Sequence, residues 1–206
     1  GYAYWYESTD SSWHAYHIAS EKTINLTQNI DANFYYELND VPALPGAYGS
    51  AGWTKDDEHI LLYDYYDIWK VDPKTLEATN LTNGYGRENE IAFRYQQLNP
   101  EEYAIPANDG IVVSAFDRKT KQSGYFAEHT GNDRPPEKLI LDNYRFYGLE
   151  KALDSDEVIY RKSSFSEFPD VWLSSTDFGE STELTAAIPQ QQDYLWGSVE
   201  LVSWKS

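Results

Sequence analysis

The 206-residue chain sets 34 Asp and Glu against 16 Lys and Arg, a formal net charge of −18. That balance repels a phosphate backbone and no Lys/Arg run offsets it, so nucleic acid is excluded as an expected partner. Cysteine is absent, which removes disulfides, thiolate metal sites and cysteine nucleophiles together, and no apolar run approaches the roughly 20 residues of a membrane helix.

The predicted elements are short aromatic and β-branched runs between clusters of Asp, Asn, Gly, Ser and Pro, an all-β signature. In chain order they are Tyr2–Glu7, Trp13–Ala19, His59–Tyr65, Ile68–Asp72, Ile111–Phe116, Gly124–His129, Glu157–Lys162 and Val171–Ser175. Overlaid, they show a repeat of roughly 45 to 55 residues, the period of a four-stranded propeller blade. The clearest copy has an inner strand opened by Trp53 and leaving into a polar turn at Asp56-Asp57, then His59–Tyr65, Ile68–Asp72, a turn at Pro73-Lys74-Thr75, and a close at Asn80-Leu81-Thr82. Asn25-Leu26-Thr27 and Glu183-Leu184-Thr185 repeat that close. The expected fold is a partial β-propeller of about four four-stranded antiparallel blades, at 1–27, 49–82, 108–142 and 145–186, with an exit strand at 198–206. The first blade lacks its innermost strand. Residues 28–50 and 83–109 read as long loops, and loops of that length are often functional. Trp53 is expected in the core between blades, and Trp69 and Trp172 on equivalent third strands. The chain starts at Gly1 and holds no Met, which predicts a piece of a longer protein.

No residue qualifies as a catalytic, cofactor or metal site. No G-x-S-x-G is present, and Gly49-Ser50-Ala51-Gly52 has the wrong spacing for a nucleophile elbow. His14, His17, His59 and His129 show no metal spacing, and His14 and His17, three apart, point to opposite faces of a strand. The carboxylate groups Asp56-Asp57-Glu58, Asp64/Asp67/Asp72 and Asp154/Asp156/Glu157 lack the alternating ligands and glycine of a calcium loop. Asp56 and Asp57 read as turn formers. Both N-L-T strings match a glycosylation acceptor, but the blade repeat already explains them. Tyr63-Asp64-Tyr65-Tyr66 offers aromatic faces suited either to blade packing or to stacking a ligand.

The strings Gly52-Trp53-Thr54-Lys55-Asp56-Asp57, Tyr66-Asp67-Ile68-Trp69 and Asn80-Leu81-Thr82-Asn83-Gly84-Tyr85-Gly86-Arg87 resemble the propeller of large bacterial prolyl-oligopeptidase-type serine peptidases. So do Phe168-Pro169-Asp170-Val171-Trp172 and the segment from Val199 to Ser206. The resemblance implies a non-catalytic, substrate-gating propeller fragment, peptide substrates, a downstream α/β-hydrolase domain bearing the catalytic Ser, Asp and His, and a periplasmic or secreted parent. It implies no cofactor. The acidic pair with which dipeptidyl peptidases hold a substrate amino group has no match here. A stand-alone propeller binding protein or glycan, and a glycoside hydrolase with paired carboxylates, are the competing readings. Cut flanks at both ends of the arc lead to an expectation of self-association.

Overall fold

The computed structural model describes residues 1–106, 110–129 and 134–205. Among the described residues, fifteen strands form four consecutive antiparallel sheets, one of three strands and three of four. Each sheet is made from adjacent stretches of sequence. The first holds β1 (Tyr2–Glu7), β2 (Ser12–His17) and β3 (Lys22–Asn25). The second holds β4 (Ser50–Trp53), β5 (Ile60–Tyr63), β6 (Ile68–Val71) and β7 (Ala78–Asn80). A short helix, α1 (Tyr85–Asn89), leads into the third, with β8 (Ile91–Gln96), β9 (Gly110–Asp117), β10 (Ser123–His129) and β11 (Glu137–Asp142). The fourth holds β12 (Arg145–Lys151), β13 (Glu157–Ser163), β14 (Asp170–Ser175) and β15 (Ser181–Glu183).

The period-2 alternation of a strand decides which neighbour each side chain meets. All four residues of β5 are buried, because both faces of the second sheet are covered. Ile60 and Leu62 pack with Trp13, Ala15 and Leu26 of the first sheet. Leu61 and Tyr63 pack with Phe93, Val113 and Phe126 of the third. On β10, Phe126 faces the second sheet while Tyr125 faces Val158 and Tyr160 of the fourth. Three apolar layers thus separate four successive sheets, which is the stacking of propeller blades, and the chain is a partial β-propeller.

The repeat has a shared hydrogen-bond signature. Leu26, Leu81 and Leu184 each donate their backbone N–H, at 2.8 Å, to the carbonyl of Trp13, Ile68 and Val171 on the third strand of their blade. The next residues, Thr27, Thr82 and Thr185, accept on Oγ1 the N–H of those same three partners, always 14 positions back. The N-L-T strings therefore close blades, and the Thr82 hydroxyl that a glycosylation acceptor would need is fully buried.

Trp69 and Trp172 stand on β6 and β14, the third strands of their sheets, as expected. Two expectations differ. The stretch 83–109 is not a loop: it holds α1 and β8, so the third sheet starts at Ile91 rather than at 108. Residues 108 and 109 lie outside the described residues. No strand forms over 198–205, where the exit strand was expected; Val199, Leu201, Val202 and Trp204 of that segment are exposed. The sequence pattern there is strand-like, but no strand pairs with it, and residue 206 is outside the described set.

Candidate ligand-binding cleft

The turn between β5 and β6 organises one end of the second sheet. Asp64, buried, accepts on Oδ1 the N–H groups of Tyr66 (2.7 Å) and Asp67 (2.6 Å), and on Oδ2 the indole N–H of Trp69 (3.1 Å). Asp67 Oδ1 accepts from the Thr82 hydroxyl (2.6 Å) and the Gly86 N–H (2.9 Å), and its Oδ2 from the Arg87 N–H (3.1 Å). Burial, and then the charge of Asp64, raise the Asp67 pKa, while the donors from Thr82, Gly86 and Arg87 oppose the rise. Gly86 is required there: a Cβ would lie 2.6 Å from Asp67 Oδ1 and 2.7 Å from the Ile91 carbonyl oxygen. Asp170 repeats the device in the fourth sheet, accepting from the Thr185 hydroxyl (2.6 Å) and the Ala187 N–H (2.8 Å).

The same end gathers arginines on aromatic faces. Tyr48 and Tyr65 stack with centroids 5.3 Å apart; Arg94 lies over Tyr48 (5.9 Å) and Tyr63 (4.6 Å), and Arg118 over Tyr65 (4.8 Å) and Phe116 (5.2 Å). Arg87 covers Tyr66 at 5.3 Å and reaches Glu37 (3.7 Å) and Asp64 (3.6 Å). Arg94 also donates to the backbone carbonyls of Phe93 (2.6 Å) and Asp64 (3.1 Å). Burial lowers the Arg94 pKa, Tyr63 and Asp64 counter it, and Arg118 adds like-charge repulsion. The Tyr48 and Tyr63 hydroxyls are each pushed up to about 12, chiefly by burial. Loop 28–50 is folded back onto this cluster by a Tyr35–Ala47 bridge and by the Tyr48 hydroxyl, which accepts the Glu37 N–H at 2.8 Å.

Arg94 and Arg118 also line a cleft of about 1200 Å³ between the third and fourth sheets. Lys121 and Arg145 line it too, with Phe116, Tyr144, Phe146 and Phe165 as aromatic wall and Ser114, Ser123, Ser164 and Ser166 as hydroxyls. The extended segment 198–201 runs along its edge. Such a site can stack flat groups, hydrogen-bond a backbone and attract negative charge.

No family model matches the sequence, and no curated protein matches it. Two similar solved structures carry the name TolB. One is a putative TolB from Agrobacterium tumefaciens, 14% identical, with a TM-score of 0.46, covering 84% of this chain and 55% of that chain. Another is TolB from Acinetobacter baumannii, 12% identical, with a TM-score of 0.43, covering 84% of this chain and 37% of that one. The chain thus spans little more than half of the first and about a third of the second. The likeness concerns fold and nothing of the cleft.

Of the residues singled out in the sequence, Asp64, Asp67, Tyr63, Tyr65 and Tyr66 lie in this cluster, and the serine and histidines lie elsewhere. Ser50 opens β4 and its hydroxyl meets the Tyr4 hydroxyl (3.1 Å), with no histidine as partner among the described residues. His14 pairs with Asp10 (2.9 Å) and His17 with Ser20 (2.7 Å), each within its own hairpin. Asp56 and Asp57 sit in a tight turn with φ of 60° and 55°, the turn-forming role expected of them. Among the described residues no cluster of His, Asp or Glu has the geometry to hold a metal. Tyr65 and Tyr66 were legible as an aromatic platform, whereas Arg94, Arg118 and Arg145 were not. Arg94 lay in a stretch read as loop, and no local motif marks the other two.

Proposed function

We propose that this chain is a non-catalytic propeller portion of a larger peptidase of the prolyl-oligopeptidase type, and that it holds peptide in the cleft between the third and fourth sheets. The cleft carries the reading. Its volume of about 1200 Å³ exceeds the usual small-molecule pocket of roughly 300–1,000 Å³ and suits an extended peptide of several residues. The serine hydroxyls and arginine donors suit peptide carbonyls, and the aromatic wall suits apolar side chains. In this reading hydrolysis belongs to a separate downstream α/β-hydrolase domain, and export to the periplasm or beyond belongs to the same proposal.

The test has two arms. Titrated with short peptides, the chain is expected to show saturable binding by tryptophan fluorescence or calorimetry, weakened when Tyr144 or Phe165 is replaced by Ala. Incubated with chromogenic peptide and aminoacyl substrates, it is expected to release no product. Turnover that survives purification and is blocked by an active-site serine reagent would overturn the non-catalytic assignment. Absence of any peptide binding would overturn the peptide-holding one.

A further inference from the structure

Resting on the peptide-holding reading, we infer that the cleft selects peptides bearing carboxylates, with the guanidinium groups of Arg118 and Arg145 as the receiving cations. In a chain of net charge −18, four cationic side chains, Arg94, Arg118, Lys121 and Arg145, converge on one cavity. None of the four takes part in an ion pair with a carboxylate among the described residues. Other cations of the chain are so paired: Arg87 lies within 4 Å of Glu37 and Asp64, and Lys151 is at 4.0 Å from Asp156.

What holds the four is neutral. Arg94 is clamped by aromatic rings and backbone carbonyls. Arg118 lies on Tyr65 and Phe116, and its buried Nε has no hydrogen-bond partner among the described residues. Arg145 lies over Tyr147 at 5.1 Å, and the Lys121 ammonium donates to the Arg118 carbonyl (2.5 Å). Rings and carbonyls fix a guanidinium without neutralising it, so its planar fork of donors stays available for a carboxylate. Burial lowers the Arg94 pKa, Tyr63 and Asp64 oppose it, and the like charge of Arg118 adds a smaller push in the same direction as burial. An anion between the third and fourth sheets relieves that repulsion.

Two carboxylates of the chain, Asp142 and Glu200, also line the cleft, leaving the cations in excess. Glu200 comes from the extended segment 198–201, so a polypeptide strand bearing a carboxylate already lies along this edge. Glu167 adds a third carboxylate at the wall, accepting the Tyr144 hydroxyl at 2.7 Å, and the four cations still outnumber the three.

The experiment compares three probes on the full chain by calorimetry: a short Asp/Glu-rich peptide with both ends blocked, its Asn/Gln counterpart, and inorganic phosphate. The acidic peptide is expected to bind at least 10-fold more tightly than the amide counterpart, with affinity falling as salt is raised. Arg118→Gln and Arg145→Gln are each expected to lower acidic-peptide affinity at least 5-fold and amide-peptide affinity by a clearly smaller factor, so that the preference for the acidic peptide falls. Lys74→Gln, the same charge change in the turn between β6 and β7, serves as control and should have no effect. Circular dichroism of each variant establishes that the fold is kept. Equal affinity for the two peptides overturns carboxylate selection but leaves the peptide-holding reading standing. Phosphate binding without peptide binding overturns both, as does an equal loss in the Lys74 control, which would trace the effect to net charge rather than to the cleft.

Discussion

Asp67 shows how much a single carboxylate holds at the end of the second sheet. Only 1% exposed, it satisfies three donors at once: the hydroxyl that closes the blade and two backbone N–H groups at the start of α1. Asp67→Ala leaves the buried Gly86 N–H without an acceptor, shifts the Thr82 hydroxyl to Asn80 Oδ1 (3.1 Å) and leaves the Arg87 N–H to water, at roughly 1–3 kcal/mol for each donor not recovered. A loss of about 3 kcal/mol in urea melts is expected. Asp170→Ala removes the equivalent carboxylate where water has access, and about 1 kcal/mol is expected there. Equal losses at the two sites would refute burial as the reason for the difference. Glu128 is the opposite case. It is 1% exposed, its Oε2 has no partner, and its Oε1 accepts only the N–H of His129 among the described residues. Burial raises its pKa from 4.5 to about 8, with that N–H as a minor counterweight. Its folded pKa is raised, so its stabilising protonation is complete below about pH 4.5 and is lost as pH rises through about 8. The ceiling on that loss is about 5 kcal/mol at 1.36 kcal/mol per pKa unit. Glu128→Gln should therefore gain stability relative to the parent chain as pH is raised from 5 to 9 in thermal melts. A constant difference across that range would show that Glu128 is hydrated and ionised throughout.

Elements were legible where local chemistry and tertiary contact agree. Tyr2–Glu7 is a strand at the bounds its alternation predicts, and β6, β10, β13 and β14 differ from expectation by one residue at an end. The blade close was visible because leucine burial and the threonine hydroxyl bond both need fixed positions, so the string recurs. β8 was hidden for the converse reason. Ile91, Ala92 and Phe93 are all buried, so the stretch Ile91–Gln96 shows no alternation, and α1 is too short to show a helical period. The strand exists because β9 pairs along its whole length, from Ile91 opposite Asp117 to Gln96 opposite Val112, a contact no local window contains. Trp53 marks the limit of pattern reading from the other side. It was placed between neighbouring sheets, and there it stacks on Tyr2 (5.4 Å, 21°) and meets Tyr4 edge-on (5.8 Å, 85°), both from the first sheet. The ring is partly rather than fully buried. Trp53→Ala is thus expected to cost about 3 kcal/mol, the low end for deleting a large aromatic. A loss below about 1 kcal/mol in denaturant melts would mean the first and second sheets do not depend on it.

For the whole molecule, the four-blade arc was readable because each blade is a local meander, while the cleft was not, because it assembles residues more than a hundred positions apart. The same arc sets the expectation for assembly. The first sheet ends on β1 and the fourth packs against the third alone, so two flanks face outward. Trp5 and Ile159 are exposed there, and beyond the fourth sheet Leu195, Trp196 and Trp204 are at least half exposed. Strand edges and apolar faces of this kind pair with other chains unless something blunts them. Burying about 1,000 Å² of apolar surface at roughly 25 cal/mol per Å² gives a gross gain near 25 kcal/mol, against an association cost of about 4–15 kcal/mol. The net charge of −18 opposes contact between copies, and added salt screens that repulsion within a shorter distance. Self-association that strengthens with salt is the expected outcome, measured by light scattering across protein and salt concentration. A monomer at high concentration in moderate salt would refute it, and would assign the covering of these flanks to contacts within the chain itself.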